Sequence, residues 1–389
     1  MTSTALSPIA AAHTQPQSAL DPSGLGSIPA LPFVPEPILR RHRAFIPTDN
    51  RFRAAARLLQ ALWREDRNLP IGVHPGPDGK GRRLGSSIAM SAGATGANFI
   101  HPAIARLAKR ELVYREAGAV YDDDRLLTNL LSSQPLVFNL FGPLKLELAT
   151  ATAIFDALVP GFMAEVTEVL FEHSPGRGDL RFSGDGTAFD VLIRGIGPTG
   201  QRRFIAVEVK YSESGHEPLP RFTGRYNEIA PGSGLFIDAA DPALRANPSQ
   251  QLFRQMCLAH TILETGLYDE GLHLFIAPAH NTPAQNAATS FIRHLKSPQD
   301  GRLPFMAVTL EQFVEILANV GTTGHARALH RRYCDWWLID GELQLDEPSG
   351  CDDEGFISSN VDSPSCSRQD DPAGAANEPD IDTKIDNVA

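Results

Sequence analysis

The sequence predicts an α/β fold whose core runs helix, three strands, helix, strand, with an Arg-rich helical region in front of it. Two observations carry this. Helical spacing over 143–158 and 248–265 brackets strand-like runs at 164–172, 187–196 and 203–211, and one more strand-like run follows at 271–277. The composition, 42% hydrophobic and 21% charged over 389 residues, supplies a sizeable core without a disulfide or metal staple.

Residues 1–39 hold no Lys or Arg, and 1–37 hold seven prolines among Ala and Ser. Such a stretch buries too little surface to offset its ordering entropy, so 1–39 is predicted to be a disordered arm. Residues 40–130 read as a basic helical region. In 51–63, Phe52, Ala55, Leu59 and Leu62 share a helical stripe with arginines on the other side. Residues 74–83, rich in Gly and Pro, read as a basic loop, and a second helix is predicted at 102–116.

The core is predicted to span 131–340. Pro143 suits the first turn of its helix, where no N–H is needed. Ser174-Pro-Gly176 closes the first strand. Asn247 is the expected N-cap of the next helix, with Pro248 behind it and Gly266 past its end. Residues 311–320 and 325–337 read as closing helices. The acidic segment 341–389 is predicted to be a disordered tail.

The formal net charge of -11 equals the charge of that tail alone, so the rest of the chain is neutral. Within it, 40–83 carries eleven Lys/Arg against four Asp/Glu. Segregated positive charge leaves an anionic partner open. None of the four cysteines forms a C-x-x-C pair, which argues against a disulfide scaffold or a zinc finger. No apolar run reaches the roughly 18–20 residues of a membrane span, and the N-terminus lacks a basic signal region. A cytoplasmic protein with no membrane partner is expected.

The chemistry concentrates at Phe204-Ile-Ala-Val-Glu-Val-Lys-Tyr211. Strand alternation puts Ile205, Val207 and Val209 on one face and Ala206, Glu208 and Lys210 on the other. The preceding strand places Asp190 inside an equally apolar run. Buried carboxylates are costly unless paired or metal-bound. Asp190 and Glu208 offer hard oxygen ligands for Mg2+, with the Val209 carbonyl as a further ligand and Mn2+ as a substitute. Lys210 can orient a water or stabilise a phosphorane as a point charge. The bare Asp/Glu-x-Lys triplet also occurs at Asp78–Lys80 and Asp382–Lys384, and alone it reads more readily as a strand salt bridge. Only the middle copy has an acid on the preceding strand.

That pattern resembles the PD-(D/E)XK nuclease superfamily, with Asp190 and Glu208-Val-Lys210 in the matching places and Phe189 where a Pro is usual. The strings 125–142, 171–176, 185–190 and 251–254 are similar to a bacterial family described as restriction endonucleases within it. The resemblance covers about 40–340. It implies a restriction-endonuclease-like core, a mixed central sheet flanked by helices. It also implies Mg2+-dependent hydrolysis of DNA, leaving 5′-phosphate and 3′-hydroxyl ends, with Asp190, Glu208, Lys210 and Glu172 as catalytic candidates. A restriction or defence role leads. A repair, structure-specific or RNA nuclease, or a non-catalytic nucleic-acid-binding protein, is the alternative. A homodimer would suit double-strand cleavage.

Among other polar residues, Glu147 and Asp185 are weaker candidates. Glu213 is excluded, because three residues past Lys210 it falls off the strand face. Arg82, Arg83, Gln251 and Arg254 are the candidate nucleic-acid contacts, since Arg suits bidentate phosphate binding. Gly195-Ile-Gly-Pro-Thr-Gly200 matches a dinucleotide fingerprint but precedes a strand, so it is read as a hairpin turn and no nucleotide cofactor is expected. His325, His330 and Cys334 are assigned to packing.

Overall fold

The computed structural model describes residues 20, 28, 30–75, 81–213, 222, 224–296 and 302–344. All lie in the first of two units, Met1–Asp346. The expectations for 1–19, 21–27, 29, 76–80 and 345–389, including most of the N-terminal arm and the acidic tail, lie outside the described residues.

Two helices, α1 (Glu36–Arg41) and α2 (Arg51–Asp66), lead into a hairpin of β1 (Ile71–Pro75) and β2 (Gly81–Ile88). Then come α3 (Met90–Thr95), α4 (Pro102–Val113) and α5 (Asp123–Thr128). Helices α6 (Ser133–Leu146) and α7 (Leu148–Leu158) precede β3 (Glu165–His173), β4 (Phe189–Ile196) and β5 (Arg202–Val209). Helices α8 (Arg225–Ser233) and α9 (Gln250–Glu264) connect to β6 (Glu270–Ala277). The described chain ends through α10 (Thr282–Ile292), β7 (Phe305–Thr309), α11 (Leu310–Asn319), α12 (Thr323–Tyr333) and α13 (Trp337–Gln344).

Strands β3 to β7 form one sheet in chain order, antiparallel from β3 to β5 and parallel from β5 to β7. This is the mixed α/β sheet flanked by helices that the sequence predicts. Alternation sorts its side chains. Val191, Val207, Val209, Leu274 and Ile276 join the larger core with α6, α7 and α11, whereas Leu192, Phe204, Ala206 and Phe275 join a second core with α8, α9 and α10. Each fully buried aliphatic or Phe side chain contributes about 1.5–3 kcal/mol. As expected, the Gly195–Gly200 motif is part of a hairpin: Gly195 and Ile196 end β4, and Gly197–Gly200 make the turn to antiparallel β5.

Several local expectations are corrected. Pro143 lies inside α6, which starts ten residues earlier behind Ser132, whose side chain accepts the Gln134 amide. The missing Pro143 N–H would leave the Asn139 carbonyl short of a helical donor; His325 Nε2 supplies one at 2.8 Å. Asn247 is not the N-cap of α9: that position falls to Ser249, and the Gln250 amide bonds the Ala246 carbonyl at 2.9 Å. The expected basic loop is largely hairpin, with Arg82 and Arg83 exposed on β2 and paired with His74 and Val73. Ordered structure begins before residue 40, because Leu31, Val34, Ile38 and Leu39 reach the larger core. It also passes 340, where Glu342 in α13 pairs with Arg41 and His42. Nor does α2 turn all its arginines outward. Arg57 is held by Asp49 at 2.6 Å, and Arg64 donates to the Gly85 carbonyl at 2.9 Å. A guanidinium has five donors, so it tolerates burial where such acceptors converge.

Candidate active site

Asp190 and Glu208 sit on adjacent antiparallel strands, one step beyond the Val191–Val207 pair, on the face turned toward α9. The Val209 amide donates to Asp190 Oδ2 at 2.8 Å, tying the two strand ends together. Lys210 directly follows β5, and its own amide bonds the Ile276 carbonyl on β6 at 2.8 Å. Its Nζ lies 2.7 Å from Glu208 Oε1 and 2.7 Å from Gln251 Oε1, and Gln251 Nε2 returns to Glu208 Oε1 at 2.7 Å. Acid, amine and amide thus close a triangle across β5 and the first turn of α9.

Burial pushes the Asp190 carboxyl well above its ordinary range, and the neighbouring Glu208 charge pushes it further. For Lys210 burial acts the other way, but Glu208, Asp190 and Glu213 outweigh it and hold the ammonium more firmly protonated than usual. In the metal-free site Lys210 is thus held as a cation.

Glu172, the penultimate residue of β3, has a left-handed backbone, φ 47°. That conformation is uncommon outside glycine and signals local strain. Arg177 braces it, donating to the Glu172 carbonyl at 2.5 Å and approaching its Oε1 at 3.5 Å. Burial raises the Glu172 carboxyl, with the Glu208 charge adding and Arg177 opposing. Glu116 fastens the same corner by bonding His173 and the Ser174 amide.

The remaining candidates separate. Gln251 faces Lys210 and Glu208, so the structure gives it a positioning place in the triangle. Arg254 points back into the protein, to Thr187 Oγ1 at 3.0 Å and Gln250 Oε1 at 3.1 Å, which braces α9 against the start of β4. Asp185 completes that brace through Tyr226 and the Thr187 amide. Glu147 is exposed at the joint between α6 and α7. Arg82 donates to the Phe45 carbonyl at 2.7 Å, and none of the hydrogen bonds described joins Arg82 or Arg83 to the triangle.

Two site residues were missed. Glu213 was excluded by strand alternation, but β5 stops at Val209 and the period lapses. Its carboxylate accepts from the amides of Ser133, Tyr211 and Ser212. Burial works against its charge, yet Lys210 and these amides win and its pKa is lowered. Gln255, one helical turn after Gln251, donates to Glu208 Oε2 at 2.5 Å and to the Ala188 carbonyl at 3.0 Å. Its only sequence signal is the i, i+4 spacing of two glutamines on one helix face.

Among the described residues no three His, Cys, Asp or Glu side chains form a ready metal cage. The donor set nevertheless fits a hard cation. Two carboxylates meet at one corner, where Glu208 is buried and Asp190 partly exposed, Asp190 Oδ2 holds a single amide, and Mg2+ commonly takes only one or two carboxylates beside water and substrate phosphate.

The family model described as the PD-(D/E)XK nuclease superfamily matches residues 47–335. The chain belongs to that superfamily, whose membership supports a nuclease, a hydrolase acting on nucleic acid, and whose members generally use divalent metals. No curated protein and no solved structure matches the chain significantly. No described helix is long and apolar enough to cross a membrane.

Proposed function

We propose that the protein is a Mg2+-dependent endonuclease that hydrolyses DNA phosphodiester bonds in a restriction or defence role. The observation that carries the reading is the Asp190–Glu208–Lys210 convergence closed by Gln251. Asp190, Glu208 and the Val209 carbonyl would hold the cation, with Mn2+ as a substitute. When bound, it lowers the pKa of a water and neutralises phosphodiester charge.

Lys210 holds its proton and directs a fixed positive charge at the oxygen where negative charge develops. Gln251 and Glu208 fix its Nζ, so little reorganisation is needed during reaction. Glu172 supports the acid pair from β3. The defence role rests on the resemblance of the motif strings to restriction endonucleases. Cutting both strands would be served by a homodimer.

The test is cleavage of plasmid DNA with Mg2+ or Mn2+ by wild type, Lys210→Ala and Asp190→Asn. Wild-type cleavage that stops in both variants, with DNA binding retained, supports the reading. A panel of methylated, unmethylated, branched and single-stranded DNA and RNA identifies the substrate. Cleavage of RNA alone, or of branched DNA alone, overturns the restriction role; no cleavage of any of them overturns the enzyme.

A further inference from the structure

Beside the first turn of α9, a small pocket at Lys210 and Gln251 adjoins a larger open depression, the groove, across Pro248 and Ala287. The polar lining of the groove is Asn50, Arg51, His280, Thr282, Asn286 and Ser290. Hydrogen bonds hold both of its outer walls to the residues that follow Lys210. Arg53, in the first turn of α2, donates to the Ser212 carbonyl at 3.2 Å. Asn281, the N-cap of α10, donates to the carbonyls of Tyr211 at 2.8 Å and Glu213 at 3.1 Å. The groove's position relative to the Lys210 amine is therefore set by the main chain.

Its chemistry is selective. Among the described residues no Asp or Glu lines it, and Arg51 projects there with no carboxylate partner. Arg53 and Arg57, in the same helix, are both committed to Asp49. The groove encloses about 730 Å³, so size alone does not choose between ligands. A small-molecule pocket is roughly 300–1,000 Å³. A depression that, among the described residues, has no acid, one guanidinium outside any ion pair and several neutral donors beside apolar Leu31, Phe52, Pro248 and Ala287 suits a nucleotide strand, which brings phosphates to the polar wall and sugars and bases to the apolar one. The N-terminal ends of α2 and α10 add partial positive charge.

We infer that this groove seats the phosphate backbone of the substrate strand flanking the bond to be cut, with Arg51 on a phosphate and Asn286 on the opposite wall. The inference rests on the nuclease reading and assigns the strand's path away from Lys210. It places the main backbone clamp at Arg51 on α2, apart from the β2 arginines.

The experiment uses the full chain and fluorescein-labelled DNA, single- and double-stranded, with Ca2+ in place of Mg2+ so that binding is read without cleavage. Anisotropy is measured across a salt series, and steady-state cleavage is measured separately with Mg2+. Arg51→Ala should weaken binding roughly 3- to 10-fold near 0.1 M salt and reduce the salt slope by about 1. It should raise KM more than it lowers kcat. Asn286→Glu should weaken binding, and Asn286→Arg should tighten it. Both positions are exposed, so circular dichroism should show an unchanged fold. If wild type binds and cleaves while Arg51→Ala and Asn286→Glu leave affinity and slope unchanged, the groove assignment is wrong and the nuclease reading stands. A response to Arg51→Ala without one to Asn286→Glu also overturns the groove, leaving an isolated contact. If wild type neither binds nor cleaves, the nuclease reading fails and takes the groove with it.

Discussion

Gln255 holds Glu208 from the side opposite Lys210: its Nε2 lies 2.5 Å from Glu208 Oε2, while its Oε1 faces His273 Nε2 at 3.2 Å. His273 is fully buried on β6 and stacks on Phe305. Burial pushes its pKa down to about 3, so the ring is neutral at ordinary pH. With the Gln255 amide giving its hydrogens to Glu208 and Ala188, its carbonyl must accept, and the His273 proton belongs on Nε2. The carboxylate is oriented through a strand, a helix and a second strand.

Gln255→Leu removes that donor with little change in volume. Outer-shell partners of metal ligands are commonly worth 10–100-fold in metal affinity or activity. A Mg2+ titration by calorimetry should therefore show affinity weakened by about that factor. Unchanged affinity and cleavage would make Gln255 a packing residue only.

His273 gives a pH dependence with a definite sign. Its folded pKa lies below the unfolded value of about 6.5, so its contribution is present above that pH and is lost as pH falls toward 3. By pH 4 the loss is on the order of 3 kcal/mol. Urea unfolding of wild type and His273→Phe at pH 7 and pH 4 should show a smaller acid loss in the variant. Equal losses would remove His273 from the acid-sensitive set.

Asp190 has the opposite sign. Its folded pKa is raised, so its contribution is favourable below the unfolded value of about 3.9 and is lost as pH rises through the folded pKa. Without a cation, ionising Asp190 therefore costs the folded protein stability. Asp190→Asn should raise Tm without Mg2+ while ending cleavage, and added Mg2+ should raise the Tm of wild type alone. A lower Tm in the variant would show that Asp190 mainly supports the fold through the Val209 amide.

Arg332 is fully buried, bonding Asn98 O at 2.6 Å, Asn98 Oδ1 at 2.5 Å and Gln60 Oε1 at 3.3 Å, with its guanidinium 4.1 Å from the Trp63 ring. It joins α12 to α2. Arg332→Met strands those acceptors and should cost about 3 kcal/mol, measured by urea unfolding. A loss under about 0.5 kcal/mol, as at an ordinary surface site, would contradict this role.

The proposal that Arg82 and Arg83 also contact phosphates predicts a salt slope smaller by up to about 2 when both become Ala. An unchanged slope would assign the exposed face of β2 to solvent.

Local pattern alone carried the core order, the shared face of Glu208 and Lys210, and the acid on the strand before them, because β-strand alternation is a property of consecutive residues. The same rule misled at Glu213, where β5 had already ended, and helical start signals misled at Pro143, whose broken hydrogen bond is repaired by His325, distant in sequence. β7 escaped notice because five half-buried or exposed residues carry little periodicity.

What the sequence by itself determined is therefore the fold class and the identity of the acid pair and its amine. Which side chains hold them was decided by tertiary structure alone. Gln251 and Gln255 reach Glu208, and His273 reaches Gln255, only once α9 lies across β5 and β6, and Arg51 reaches the groove only once α2 docks on the chain beyond Lys210. Such contacts depend on how elements far apart in sequence pack, and no short-range spacing encodes that.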